Sequence, residues 1–243
     1  MFTRALLASA CTLALAGSAA AADLPVTPPP VPVFTWTGVY LGGQIGYGWG
    51  NDNGNAYNFG PLGPIAAANA VAPSATNPQG IVGGAHIGYN WQITQWVFSL
   101  EGEVDGSGLN QSIQPLSYLY STTDLFLQGA ILGRVGYAFD HLLAYATGGW
   151  TIGAIHNSYN VNGNIGSYPT ARSGWTAGGG LEYAIDNNWS VRAEYRYSNF
   201  GFFYDSPIVY FITQTHHWTE NQVKVGFSYK FTPTPPVAVV AKY

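Results

Sequence analysis

The chain has 243 residues, of which 8% are charged and 15% aromatic, with a formal net charge of −4. Soluble domains carry about 25% charged residues, so the composition sits far from theirs, and an acidic balance without a basic patch excludes a nucleic-acid partner. The single cysteine, Cys11, leaves no disulfide framework and no cysteine-ligated metal to consider.

Met1–Ala22 begins with Arg4 as its only charge, continues through an apolar run from Ala5 to Ala16, and ends in small residues. That pattern predicts a secretory signal cleaved near Ala22, with an apolar region too short to span a bilayer. A lipoprotein signal at Cys11 is disfavoured because Ala8 stands where such signals usually carry Leu. Loss of the signal leaves seven basic against twelve acidic residues, a net charge of −5, and no cysteine. The next stretch, 23–36, holds Pro25, Pro28, Pro29, Pro30 and Pro32 and reads as a stiff periplasmic linker.

From Thr37 onward the sequence predicts eight strands. They lie near Thr37–Trp49, Gly80–Trp91, Trp96–Asp105, Leu125–Phe139, Leu142–Ile155, Ser173–Ile185, Trp189–Asn199 and Thr219–Phe231. Each meets the about 9–11 residues that a tilted membrane strand requires. Side chains alternate across a strand, and several segments show one apolar and one charged face. Trp189, Val191, Ala193, Tyr195 and Tyr197 oppose Ser190, Arg192, Glu194, Arg196 and Ser198. Val225, Phe227, Tyr229 and Phe231 oppose Lys224, Gly226, Ser228 and Lys230. In the third strand Trp96, Phe98, Leu100 and Val104 oppose Ser99, Glu101, Glu103 and Asp105. The fourth places Leu127, Ile131, Val135 and Tyr137 opposite Gln128 and Arg134; the first places Val39, Leu41, Ile45, Tyr47 and Trp49 opposite Gln44. The sixth sets Leu181 and Tyr183 against Glu182, while the fifth is nearly all apolar or small and its register stays open.

The intervals between strands alternate strictly. Residues 50–79, 106–124, 156–172 and 200–218 are long; 92–95, 140–141 and 186–188 are short. Outer-membrane barrels place short turns in the periplasm and long loops outside, and no later segment is apolar for long enough to form a membrane helix. Only helices and closed barrels satisfy every backbone hydrogen bond in lipid. The predicted fold is therefore an all-β, eight-stranded antiparallel transmembrane β-barrel with four long outer loops and three short periplasmic turns. Trp49, Trp91, Trp96, Tyr137, Trp175, Tyr183, Trp189, Tyr197 and Tyr229 fall at strand ends, as aromatic girdles do.

Eight strands enclose a lumen that side chains just fill. The inward set predicts a lumen charge network of Glu101, Glu103, Arg134, Glu182, Arg192, Glu194, Arg196 and Lys224. Buried charges persist when paired, so this network reads as a plug; the alternative reading is the lining of a narrow ion path. His216–His217 beside Glu220 suggests a metal site, but neighbouring strand side chains point oppositely, and solvated histidines are the simpler expectation. His86, His141 and His156 raise the thought of a lipid-modifying enzyme, yet the strand registers bring no Ser/His/acid set together. No cofactor, metal or catalytic residue is expected.

Several strings are similar to a known family. Phe34–Gly43, after a signal and a Pro-rich linker, resembles the RopB-type outer-membrane immunogenic proteins, small opacity-porin-like barrels of alphaproteobacteria. So do Gly83–Gln92, Val97–Glu103, Ala144–Gly149 and Ala193–Tyr197. Lys224–Phe231 resembles the terminal signal read by the barrel-assembly machinery, with Gly226, Tyr229 and Phe231 at its defining positions. Family members commonly stop at that final aromatic; this chain continues through a Pro/Val-rich tail, 232–243. The resemblance implies an abundant envelope protein with a structural, antigenic or weakly porin-like role.

The resulting organisation is a signal (1–22), a linker (23–36), a barrel (37–231) and a tail (232–243). The expected setting is the bacterial outer membrane, with lipids, the assembly machinery and host or envelope surfaces as partners. The alternatives are a narrow porin and a soluble periplasmic lipocalin-like barrel.

Overall fold

The alternating segments fold as strands throughout the computed structural model, which describes residues 34–58, 75–116, 119–161, 164–205 and 212–231. The strands are β1 (Gly38–Asn58), β2 (Ala75–Thr76), β3 (Gln79–Ile93), β4 (Trp96–Leu116), β5 (Leu119–Phe139), β6 (Leu142–Val161), β7 (Asn164–Ala184), β8 (Trp189–Asp205) and β9 (Ile212–Phe231). Eight long strands pair antiparallel with their sequence neighbours, and β1 pairs with β9 to close the sheet. The two-residue β2 pairs only with Asp52 and Asn53 of β1. The result is a closed eight-stranded antiparallel barrel. The segments read as signal and tail lie outside the described residues. Phe34–Trp36, read as the end of the linker, fall within the compact unit Phe34–Tyr243.

The two faces follow the sequence pattern. Ile45, Leu100, Ile131, Val225 and Phe227 are each more than half exposed on the outside, while Glu101 and Arg134 are at most 3% exposed inside. Strands β3–β4, β5–β6 and β7–β8 are joined by the short turns 94–95, 140–141 and 185–188. Thr94 and Asp140 occupy the left-handed region at φ 56°, which matches the twist of two-residue hairpins. In the third turn, Asp186 Oδ1 accepts the backbone N–H groups of Asn188 and Trp189, each at 2.7 Å. Those two bonds hold its carboxyl below the ordinary aspartate range.

Strand bounds differ from the sequence reading, and one open register is settled. Much of each predicted outer loop is paired strand: Asn110 pairs with Asp124, Asn157 with Tyr168, and His217 with Asn53. The apolar alternation fades along these segments although backbone pairing continues. Register shifts at Gly106/Leu109, Leu125/Leu127 and Asn199/Phe202 disrupt the two-residue period further. The open register of the fifth predicted strand, β6, is resolved with Leu143, Tyr145, Thr147, Thr151 and Ile155 inward and Trp150 outward.

The lumen is layered. Near the short turns, Trp36, Val97, Ala138, Leu143, Tyr145 and Ala184 pack together. Toward the opposite end, Val82, Leu109, Leu125, Ile155, Phe200 and Trp218 form a second apolar cluster. Charged and polar side chains occupy the space between.

Candidate functional site in the barrel lumen

Inward positions of β4, β5, β7, β8 and β9 bring all eight predicted charges into this middle layer, where each is at least 94% buried. Arg134 reaches Glu101 at 3.2 Å and Glu182 at 2.8 Å. Arg192 bonds Glu101 at 2.7 Å and lies 4.0 Å from Glu103. Arg196 grips Glu103 through both terminal nitrogens, at 2.6 and 2.9 Å, and also bonds Glu194. Lys224 bridges Glu103 and Asp105, at 2.5 and 3.1 Å. The contacts thus run continuously from Glu182 to Asp105, with four cations facing five carboxylates. Bidentate guanidinium–carboxylate geometry is the strong form of this interaction.

Neutral groups complete the layer, and sequence reasoning did not single most of them out. Tyr40 donates its hydroxyl to Glu101 at 2.8 Å, and Tyr145 donates to Glu194 at 2.9 Å. The Arg134 guanidinium lies 3.8 Å from the Tyr145 ring centre. Gln44 accepts from Arg192 and donates to Asp105 at 2.7 Å. Ser190 donates to Glu182 at 2.7 Å. Glu220, fully buried, is held by Gln128 and Gln222 amides at 2.8–2.9 Å. The alternation of inward positions already marked Gln44, Gln128 and Asp105; the tyrosines sit at inward positions that look merely aromatic.

The histidines divide. His86 Nε2 stands 2.9 Å from Ser228 Oγ in the buried lumen, a Ser–His contact that the sequence reading did not anticipate. The two strands flank β1, and Gly42 lies between them in the same row. A Cβ on Gly42 would collide with the His86 ring and the Phe227 carbonyl, so only glycine lets the imidazole cross. Gly88 clears the Tyr40 hydroxyl in the same way. His216 and His217 point oppositely. The former is 3% exposed and bonds Asp52 at 2.6 Å, not solvated as expected, because β9 extends through it; the latter stacks on Phe202 outside, at 4.3 Å between ring centres. His141 pairs with Asp140 at the turn, and His156 approaches Ser167 at 2.5 Å. The residues of the predicted assembly signal lie at the turn end of β9. Gly226 pairs with Gln44, Tyr229 stacks edge-on with Trp189 at 5.1 Å, and Phe231 is half exposed.

The chain is similar to several known proteins. Residues 8–231 match a family model described as an outer membrane protein beta-barrel domain. A 31 kDa outer-membrane immunogenic protein of Brucella melitensis is 32% identical over 233 residues, covering 89% of this chain and 95% of that protein. A 22 kDa outer membrane protein of Rhizobium leguminosarum is 30% identical, covering 84% and 82%. Among solved structures, Neisserial surface protein A aligns with a TM-score of 0.44 at 16% identity, covering 80% of this chain and 98% of that one.

Proposed function

We propose that this chain, which belongs to the outer membrane protein beta-barrel domain family, serves the bacterial outer membrane as a structural and surface-antigen protein whose lumen is plugged. The observation that carries the reading is the unbroken chain of buried ion pairs from Glu182 to Asp105, bounded above and below by apolar clusters. Ion pairs of this kind have paid their desolvation cost on folding, and a passing ion would have to break several of them at once. The immunogenic naming of the Brucella relatives supports the antigen reading. We assign the residues outside the membrane belt to contact with host or envelope surfaces, and Gly226, Tyr229 and Phe231 to recognition by the assembly machinery. No catalytic role is assigned, since the His86–Ser228 pair is enclosed where no substrate reaches it.

The test is single-channel conductance of refolded residues 23–243 in a planar bilayer. An inserted, heat-modifiable but silent barrel is expected. Reproducible open steps that change with Arg134→Ala or Glu101→Ala would replace this reading with a narrow porin.

A further inference from the structure

We infer that Phe34 and Trp36 are the seal of the lumen on the periplasmic side, and that the polar interior beneath them is reachable by small solutes once those two rings are removed. The inference concerns entry from one end and does not depend on whether the barrel conducts through its full length.

Trp36 precedes β1 and pairs with no strand, yet it is only 3% exposed. It fills the lumen at the level of the short turns, among Val97, Ala138, Leu143, Tyr145 and Ala184. Besides Tyr145, whose hydroxyl turns to Glu194, the wall offers here two alanines, a valine and a leucine, too short to meet across an eight-stranded lumen. The indole supplies the missing bulk.

The segment is tied down at several points. The Trp36 backbone N–H donates to Gln92 Oε1 at 2.7 Å, and its indole N–H donates to the Asp140 carbonyl at 3.1 Å. Lys230 donates to the Thr35 carbonyl and lies 4.8 Å from the Phe34 ring centre. Phe34 stacks on His141 at 4.4 Å with 20° between planes. These anchors come from the turn 140–141 and from the ends of β3 and β9, so the rings bridge the mouth rather than lean on one wall.

Against the two rings lies a small recess of about 10 Å³, room for roughly one water, which the turn residues Asp186, Asn187 and Asn188 also line. Its inner side carries Tyr40, Asn90, Glu182, Ser190 and Ser228, beside Ala184. Farther in, His86 Nδ1 and Glu101 Oε1 have no hydrogen-bond partner within the protein, so solvent admitted from this end meets unused hydrogen-bonding capacity. The opposite end differs, because its apolar cluster is built from the wall strands themselves.

Residues 23–243 contain no cysteine, which makes a single introduced thiol a clean reporter. Ser190→Cys, read by its rate of modification with a small charged methanethiosulfonate in the folded, heat-modifiable protein, tests the seal. With Phe34 and Trp36 in place, labelling should be slow; in Phe34→Ala/Trp36→Ala it should rise roughly ten-fold or more, as protection follows local opening. Gln92→Ala with Lys230→Ala keeps both rings and removes two anchors, and should raise the rate as well should the ring variant fail to fold. Fast labelling of Ser190→Cys with the rings intact overturns the inference. So does unchanged protection in a folded variant lacking them.

Discussion

At the outer end of the lumen, Val82, Leu109, Leu125, Ile155, Phe200 and Trp218 come from six strands of the wall, whereas at the turn end the central side chain, Trp36, comes from the segment ahead of β1. The first layer is a product of closure: once the strands pair, its residues have nowhere else to point. The second requires a separate segment to dock after the wall exists. A single lumen therefore combines a layer that is part of the fold with one that is added to it, and the two should respond differently to substitution.

The sharpest contrast comes from Trp218, which is fully buried. Trp218→Ala should cost about 3–5 kcal/mol, read as a shift of the unfolding midpoint in denaturant. In the middle layer, Glu101→Leu removes the nearest carboxylate of Arg192 and one partner of Arg134 and should cost a comparable amount, about 3–5 kcal/mol; a neutral result would show that the network is hydrated rather than closed. On the lipid face, Val225→Arg should cost about 2–4 kcal/mol near the midplane, with the loss appearing in lipid vesicles. Trp36→Ala should fall lower, within about 0.5–3 kcal/mol, and a loss equal to that of Trp218 would erase the distinction between the two ends. The smallest effect concerns Asp186, whose carboxyl is held below the ordinary aspartate range by two backbone N–H groups. Its folded state favours the ionised form, so its contribution is complete above that range and fades as pH falls through it. Asp186→Asn should therefore lower stability slightly at neutral pH and leave it unchanged in acid, as thermal melts at the two pH values would read.

Legibility in the sequence followed the solvent. Where one face meets lipid and the other meets charge, as in β4 and β8, alternation gave strand, face and lumen residues together. Where the lumen is apolar the contrast vanishes: β6 turns Leu143 and Ile155 inward and Trp150 and Ile152 outward, and no period-two reading distinguishes them. The outer extensions carry no clean alternation, because register shifts at Gly106/Leu109, Leu125/Leu127 and Asn199/Phe202 break the two-residue period. The His86–Ser228 contact is written in no single segment, since it needs the register of three strands and a glycine in the middle one. Trp36 looked like the end of a linker because nothing local to it marks burial.

The seam between β1 and β9 has a consequence of its own. Every other long pairing joins strands adjacent in the chain, while this one joins Val39 to Phe231 and runs to Asn58–Ile212. Hairpins such as β3–β4 bring together residues a few positions apart, so their loop-closure cost is small; the seam must gather nearly the whole barrel before its first hydrogen bond forms. The topology thereby sets different entropic costs for the hairpins and for the seam. Loop closure favours hairpins before the seam, and pairing of β1 with β9 is what turns the open sheet into a closed wall.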